Sequence, residues 1–189
     1  NAINVNATAG SYIRIENKWK QGDIIELMLP MQLSLTKWTE NKNSVSVNYG
    51  PLTFSLKIDE YYQKINSKES AIGDSKWQAS ADPKKWPAYN IYSTSLWNYG
   101  LVLDDQSITS QFEIIKKAWP QNDFPFTQQD APLILKTKGK LIPGWTLDQY
   151  GLCGVLPASP VTVHTKEETI ELIPMGAARL RISAFPVVK

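Results

Sequence analysis

Apolar and polar side chains alternate with a period of two between Ser11 and Leu29. Ile13 and Ile15 share one face against Tyr12, Arg14 and Glu16. Ile25, Leu27 and Leu29 share another, with Glu26 opposite. That period marks half-buried strands, and Gly22-Asp23 between the two runs predicts a turn. Ala9 to Met31 therefore reads as a hairpin at the edge of a β-sandwich, with Trp19 at the turn and Pro30 closing the second strand. A one-residue slip would place Glu26 in the core, so the register is expected to be firm.

The same alternation recurs downstream. Met31, Leu33 and Leu35 resume it, and Lys37 to Asn43 reads as a loop. Val45, Val47 and Tyr49 share a face, as do Leu52, Phe54, Leu56 and Ile58, with Gly50-Pro51 between the two strands. Glu60 to Pro87 is polar and weakly periodic, and it carries Trp77 and Trp86. Short strands are predicted at Leu101 to Leu103 and around Phe112, Ile114 and Ile115. Trp119 to Pro132 is a Pro-rich loop. A strand is predicted from Leu133 to Lys140, then a turn-rich linker of small residues from Gly151 to Pro160. A last pair follows at Thr169 to Ile173 and Ala178 to Phe185, broken by Pro174-Met175-Gly176. Many short strands set between Pro and Gly predict an all-β fold, an antiparallel β-sandwich or two nested ones.

Composition narrows the possible partners. A net charge of +2 over 189 residues is too small to suggest nucleic acid. Lys136, Lys138 and Lys140 lie two apart, which puts them on one solvated strand face. No run approaches the ~20 apolar residues of a membrane span. One cysteine excludes an intrachain disulfide. The start at Asn1, with no basic-then-apolar leader, is read as an excised piece of a longer polypeptide. Asn6-Ala7-Thr8 matches a glycosylation sequon, which matters only in a eukaryotic secretory setting.

Candidate chemistry is sparse. A structural zinc site takes about four Cys or His ligands, and the chain has only Cys153 and His164. Cys153, between glycines, reads as a small buried residue in a tight turn, and His164 as a strand histidine. Asp104-Asp105 and Glu167-Glu168 are adjacent pairs, and neighbours on a strand point to opposite faces. Neither pair is a ready acid/base couple, which needs facing carboxyls about 5–9.5 Å apart. There is no nucleophile elbow and no phosphate-binding glycine loop. The conspicuous feature is seven Trp and eight Tyr. Trp86, Tyr89, Tyr92, Trp97 and Tyr99 are the candidates for stacking on sugar rings, and packing or a domain interface is the alternative role.

Three groups of segments carry a resemblance. The first is GSYIRI with WKQGDIIELMLPM, Gly10 to Met31, followed by NYGPLTF. The second is LWNYGLVLD, Leu96 to Asp104. The third comprises IPGWTLD (Ile142 to Asp148), LPASPV (Leu156 to Val161) and IELIPMGAARLRISAFP (Ile170 to Pro186). In this order they resemble the C-terminal part of the β-L-arabinofuranosidase-type enzymes of glycoside hydrolase family 127, formerly domain-of-unknown-function family 1680, in the style of members from gut Bacteroides-type bacteria. The resemblance implies that catalysis belongs to an upstream (α/α)6 barrel, whose zinc-bound cysteine is the nucleophile. Cys153 does not match that catalytic segment. No catalytic residue, metal ligand or cofactor is therefore expected in this chain, and zinc is expected in the barrel.

The resemblance also implies a nested layout. Residues 1–58 and 169–189 would form a first β-sandwich, incomplete by itself and closed by the C-terminal strands. Residues 59–168 would be an inserted second β-rich domain. Ala9 to Met31 would then pair with the stretch ending in Arg179 to Phe185. The expected partners are the chain's own barrel and plant-type glycans, in the periplasm or outside the cell. Incomplete sandwiches leave edges through which the chain would self-associate.

Overall fold

The structure, a computed structural model, describes residues 8, 10–65, 82, 84–104 and 107–189. Ile3, Val5, the sequon at Asn6-Ala7, Ala9, Trp77 and Asp105 lie outside the described residues. The chain divides into two compact units, Asn1–Pro30 and Met31–Lys189.

In the first unit the predicted turn is present. The Asp23 N–H donates to the Lys20 carbonyl at 3.1 Å, and the Lys20 N–H donates to the Asp23 carboxylate at 2.8 Å. Gly22 takes φ +95°, a conformation that glycine adopts without steric penalty. The predicted strands on either side are not formed. No described residue of this unit sits in a ladder, and Ile24, Ile25, Leu27, Met28 and Leu29 are all exposed. Alternation specifies a strand only when a neighbour supplies backbone partners and apolar cover. A lone pair of strands is marginal in water.

In the second unit ten strands are present among the described residues. They are β1 (Leu33–Trp38), β2 (Ser44–Tyr49), β3 (Leu52–Leu56), β4 (Glu60–Ile65), β5 (Ala88–Ser93), β6 (Tyr99–Val102), β7 (Glu113–Lys116), β8 (Leu133–Leu141), β9 (Glu167–Pro174) and β10 (Val187–Val188). Among the described residues the only helices are single turns, α1 (Ile108–Gln111) and a 3-10 turn at Met175–Ala177. The chain is all-β, as predicted. One sheet runs β1-β2-β3-β9-β8-β6-β10, with β7 also on β8, and β4-β5 form a second, two-stranded sheet. All pairs are antiparallel except β10 with β6.

The register of the large sheet follows burial. Leu172 on β9 lies opposite Leu56 on β3 and Leu135 on β8, and none of the three is more than 2% exposed. Val45, Val47, Tyr49, Phe54 and Leu101 join them in the main core. The other face of β2 carries serines, small enough for a chain segment to lie close. Ser46 Oγ accepts from the Trp38 indole at 2.9 Å and donates to the Ser183 carbonyl at 2.8 Å.

The sheet curls back on itself. Phe185 exchanges both backbone bonds with Val45 of β2, at 2.9 and 2.8 Å. Pro186 accepts from Leu101, and Val187 and Val188 continue along β6. Residues 185–188 thus join the β6 side of the sheet to β2. The curl encloses Phe185, which is fully buried.

The predicted strand from Ala178 to Phe185 is not regular. It runs beside β2 and β3, and side chains serve much of its backbone. The Ile182 N–H donates to Ser55 Oγ at 3.0 Å, and the Arg179 and Leu180 N–H groups go to the Glu60 carboxylate. Acceptors off the strand axis take bonds that a ladder would otherwise use, so alternation of Leu180 and Ile182 with arginines does not yield a strand. Within the large sheet, β9 links β3 to β8, and β10 lies beside β6.

Candidate functional site

The polar, weakly periodic stretch from Glu60 begins with a strand. Glu60–Ile65 pairs with Ala88–Ser93 over six residues. The register puts Tyr61 opposite Tyr92 and Gln63 opposite Asn90. Cross-strand partners share a face, so the two tyrosines and two amides form one strip. Tyr61 and Tyr92 are 56% and 50% exposed, and the Asn90 amide reaches the Tyr92 hydroxyl at 3.4 Å. The opposite face carries Glu60, Tyr62 and Tyr89, and the Tyr62 and Tyr89 rings meet edge to face at 6.1 Å.

Glu60 fastens this hairpin to the irregular segment that follows the 3-10 turn. Its carboxylate accepts the Arg179 N–H at 2.9 Å, the Leu180 N–H at 3.1 Å and the Tyr62 hydroxyl at 2.6 Å. Burial alone would raise the Glu60 carboxyl. The bonds from Tyr62, Leu180, Arg179 and Gln128 outweigh burial and hold it below the ordinary carboxylate range. The same contact raises the Tyr62 hydroxyl, chiefly through its bond to Glu60. Gln128 is buried and donates to the Ile58 carbonyl at 2.6 Å. Around these groups lies a cleft of about 260 Å³, bounded by Asp59, Glu60, Tyr62, Phe126 to Gln129, Ala177 and Arg179.

The five aromatic candidates separate into two groups. Trp86, Tyr89 and Tyr92 are exposed on or beside the hairpin. Trp97 is half-buried and packs edge to face on Trp145, with ring centroids 5.1 Å apart. Tyr99 is 8% exposed in the core, where its hydroxyl donates to Glu168 at 2.7 Å. Burial first, then that bond and the Glu168 charge, push Tyr99 from 10 up to about 12. The sign follows from favouring the neutral phenol: the contribution is complete below pH ~10 and is lost as pH rises through about 12. Stability, measured by alkaline unfolding followed by tyrosinate absorbance, is therefore expected to fall across that window, and Tyr99→Phe is expected to remove this residue's share of the loss.

Against family models, curated proteins and solved structures, the chain matches none. The remaining candidates are read from their surroundings. Cys153 was expected to be buried and is exposed, bridged to Leu147 on a short turn. Partial shielding raises its thiol; a bond with Trp145 opposes this and the Asp148 charge adds to it. A raised thiol is a poor nucleophile. His164 is exposed. Glu167 lies across from Lys140, whereas Glu168 takes the Tyr99 hydroxyl, so this adjacent pair does split between faces. Lys136 and Lys138 face Glu171 and Thr169 on β9, at 3.7 and 3.1 Å, which is the solvated ladder their spacing predicts. Among the described residues no group of three or more His, Cys, Asp or Glu gathers to hold a metal.

Proposed function

We propose that this chain is a non-catalytic accessory β-sandwich region of a glycoside hydrolase of the β-L-arabinofuranosidase type, which braces an (α/α)6 barrel carrying the zinc and the nucleophile. The ordered motifs from Gly10 to Pro186 support this reading. The observation that carries it is the uncovered apolar run in the first unit: Ile24, Ile25, Leu27, Met28 and Leu29 are between 66% and 90% exposed. Contiguous apolar surface of this kind marks a contact site. In this reading the barrel covers it, and the parent enzyme works on plant-type glycans in the periplasm or outside the cell. Without the barrel, that run and β1, the edge strand of the large sheet among the described residues, would drive self-association. The test is hydrolysis of arabinofuranosides by this chain with and without zinc. No turnover is expected, and zinc-dependent turnover overturns the proposal.

The strip of Tyr61, Tyr92, Gln63 and Asn90 favours a second reading, a carbohydrate-binding surface. Exposed phenol rings offer flat faces to sugar rings, and flanking amides offer both donors and acceptors to hydroxyls. Titration with arabinan or xylan, followed by tryptophan fluorescence, is expected to show a saturable change that Tyr61→Ala and Tyr92→Ala remove. A flat titration defeats this reading and leaves the bracing role intact.

A further inference from the structure

The cleft beside Glu60 has a lining that the bracing role does not use. The wall formed by Glu60 and Gln128 is held in place before any ligand arrives. The Glu60 carboxylate is fully occupied by Tyr62, two backbone N–H groups and Gln128, and Gln128 is also tied to Ile58. Glu60 is thus the frame of the cleft and has little capacity left for a ligand. Asp59 differs. Its backbone is bonded to Ser95 and Thr94, and among the described residues no hydrogen bond or ion pair engages its carboxylate. The Gln129 amide likewise has no bond among the described residues and lines the same space. Arg179 completes the polar side, and the rings of Tyr62 and Phe126 form the apolar side.

We infer that this cleft binds one ring of a neutral sugar. At about 260 Å³ it lies just below the ~300–1,000 Å³ of pockets for drug-sized ligands, which suits a single ring. The aromatic side meets the C–H face of the ring. Asp59 accepts from adjacent hydroxyls in charge-assisted bonds, and Arg179 and Gln129 donate to the ring's oxygens. Charge selects the class of sugar. Asp59 and Glu60 together outweigh Arg179, so a uronate would bring a third carboxylate into a cleft already net negative. The position is distinct from the outer strip of the hairpin, because Glu60 and Tyr62 lie on the opposite face from Tyr61 and Tyr92.

The experiment is a titration of the isotope-labelled chain with D-xylose, D-galactose and D-galacturonate, read by amide NMR shifts. Gln128, Gln129 and Arg179 are expected to shift saturably with at least one neutral sugar, with a Kd of about 1 mM, a weak contact for one small ring. Galacturonate is expected to bind at least about tenfold more weakly, a difference of ~1.4 kcal/mol. Asp59→Asn keeps the side-chain shape and is expected to weaken the neutral sugar by about tenfold, and Gln129→Leu to weaken it less. Tyr61→Ala with Tyr92→Ala is expected to leave these shifts unchanged, which separates the cleft from the hairpin strip. No shift with either neutral sugar, equal binding of galacturonate, unchanged affinity in Asp59→Asn, or loss in the hairpin double variant each overturns the inference.

Discussion

Phe185→Ala is expected to destabilise the second unit by about 3–5 kcal/mol, the range for emptying a large buried aromatic site. The ring is fully buried in the main core, and its backbone is doubly bonded to Val45. Alanine keeps those backbone bonds but leaves a cavity where the sheet folds onto itself. Domains are stable by only about 5–15 kcal/mol, so this loss is a large part of the whole. Urea unfolding followed by far-UV circular dichroism measures it. Leu27→Ala is the control: its side chain is 71% exposed, and the expected change stays within ~0.5 kcal/mol. A small effect at Phe185 would mean that residues 185–188 are not needed to hold the curl.

Glu60→Ala carries the second large effect, about 2–3 kcal/mol. It strips the acceptor from the Arg179 and Leu180 N–H groups and from the Tyr62 hydroxyl together. Bonds to a charged acceptor contribute roughly 1.5–3 kcal/mol each where water is excluded, and this site is only partly shielded, which lowers the sum. Glu60→Gln, which still offers one carbonyl oxygen, is expected to lose less. The pH dependence has a definite sign. The folded carboxyl sits below its ordinary value of 4.5, so its contribution is present above that value and disappears as pH falls through the folded pKa. Glu171, held down chiefly by the Lys57 ammonium at 2.8 Å, acts in the same direction. Acid unfolding of the wild type is expected to steepen below pH 4.5 and to flatten in Glu60→Gln.

Where alternation coincides with burial on a sheet, the strands were legible. Ser44 to Tyr49 and Leu133 to Lys140 stand almost as the period of two predicts, because neighbours on both sides supply ladder partners. The run from Ile24 to Leu29 has an equally clear pattern and forms no strand. Side-chain spacing says which face wants cover, and it says nothing about whether cover is at hand. Ala178 to Phe185 failed differently, since its backbone is satisfied by Ser55 and Glu60 side chains that are far away in sequence. β4 was missed because Tyr61 and Tyr62 put aromatics on both faces and hide the alternation. The cleft was not legible at all. Asp59, Gln129 and Arg179 meet only through the tertiary fold, and none sits in a motif. Of the aromatic candidates, composition could not tell Trp86 and Tyr92 at the surface from Tyr99 in the core.

The curl has a consequence for how the chain reaches this state. Ser46 bonds to Ser183 across 137 residues of sequence, and Ser55 to Ile182 across 127. Neither contact can form until nearly all of the intervening chain has been gathered in, and that loop entropy is spent before the contacts repay it. Refolding is therefore expected on the millisecond-to-second scale of non-local β proteins. β4 and β5 pair with each other across a much shorter stretch, Ile65 with Ala88 and Glu60 with Ser93, so that sheet can form earlier than the Ser46 and Ser55 contacts.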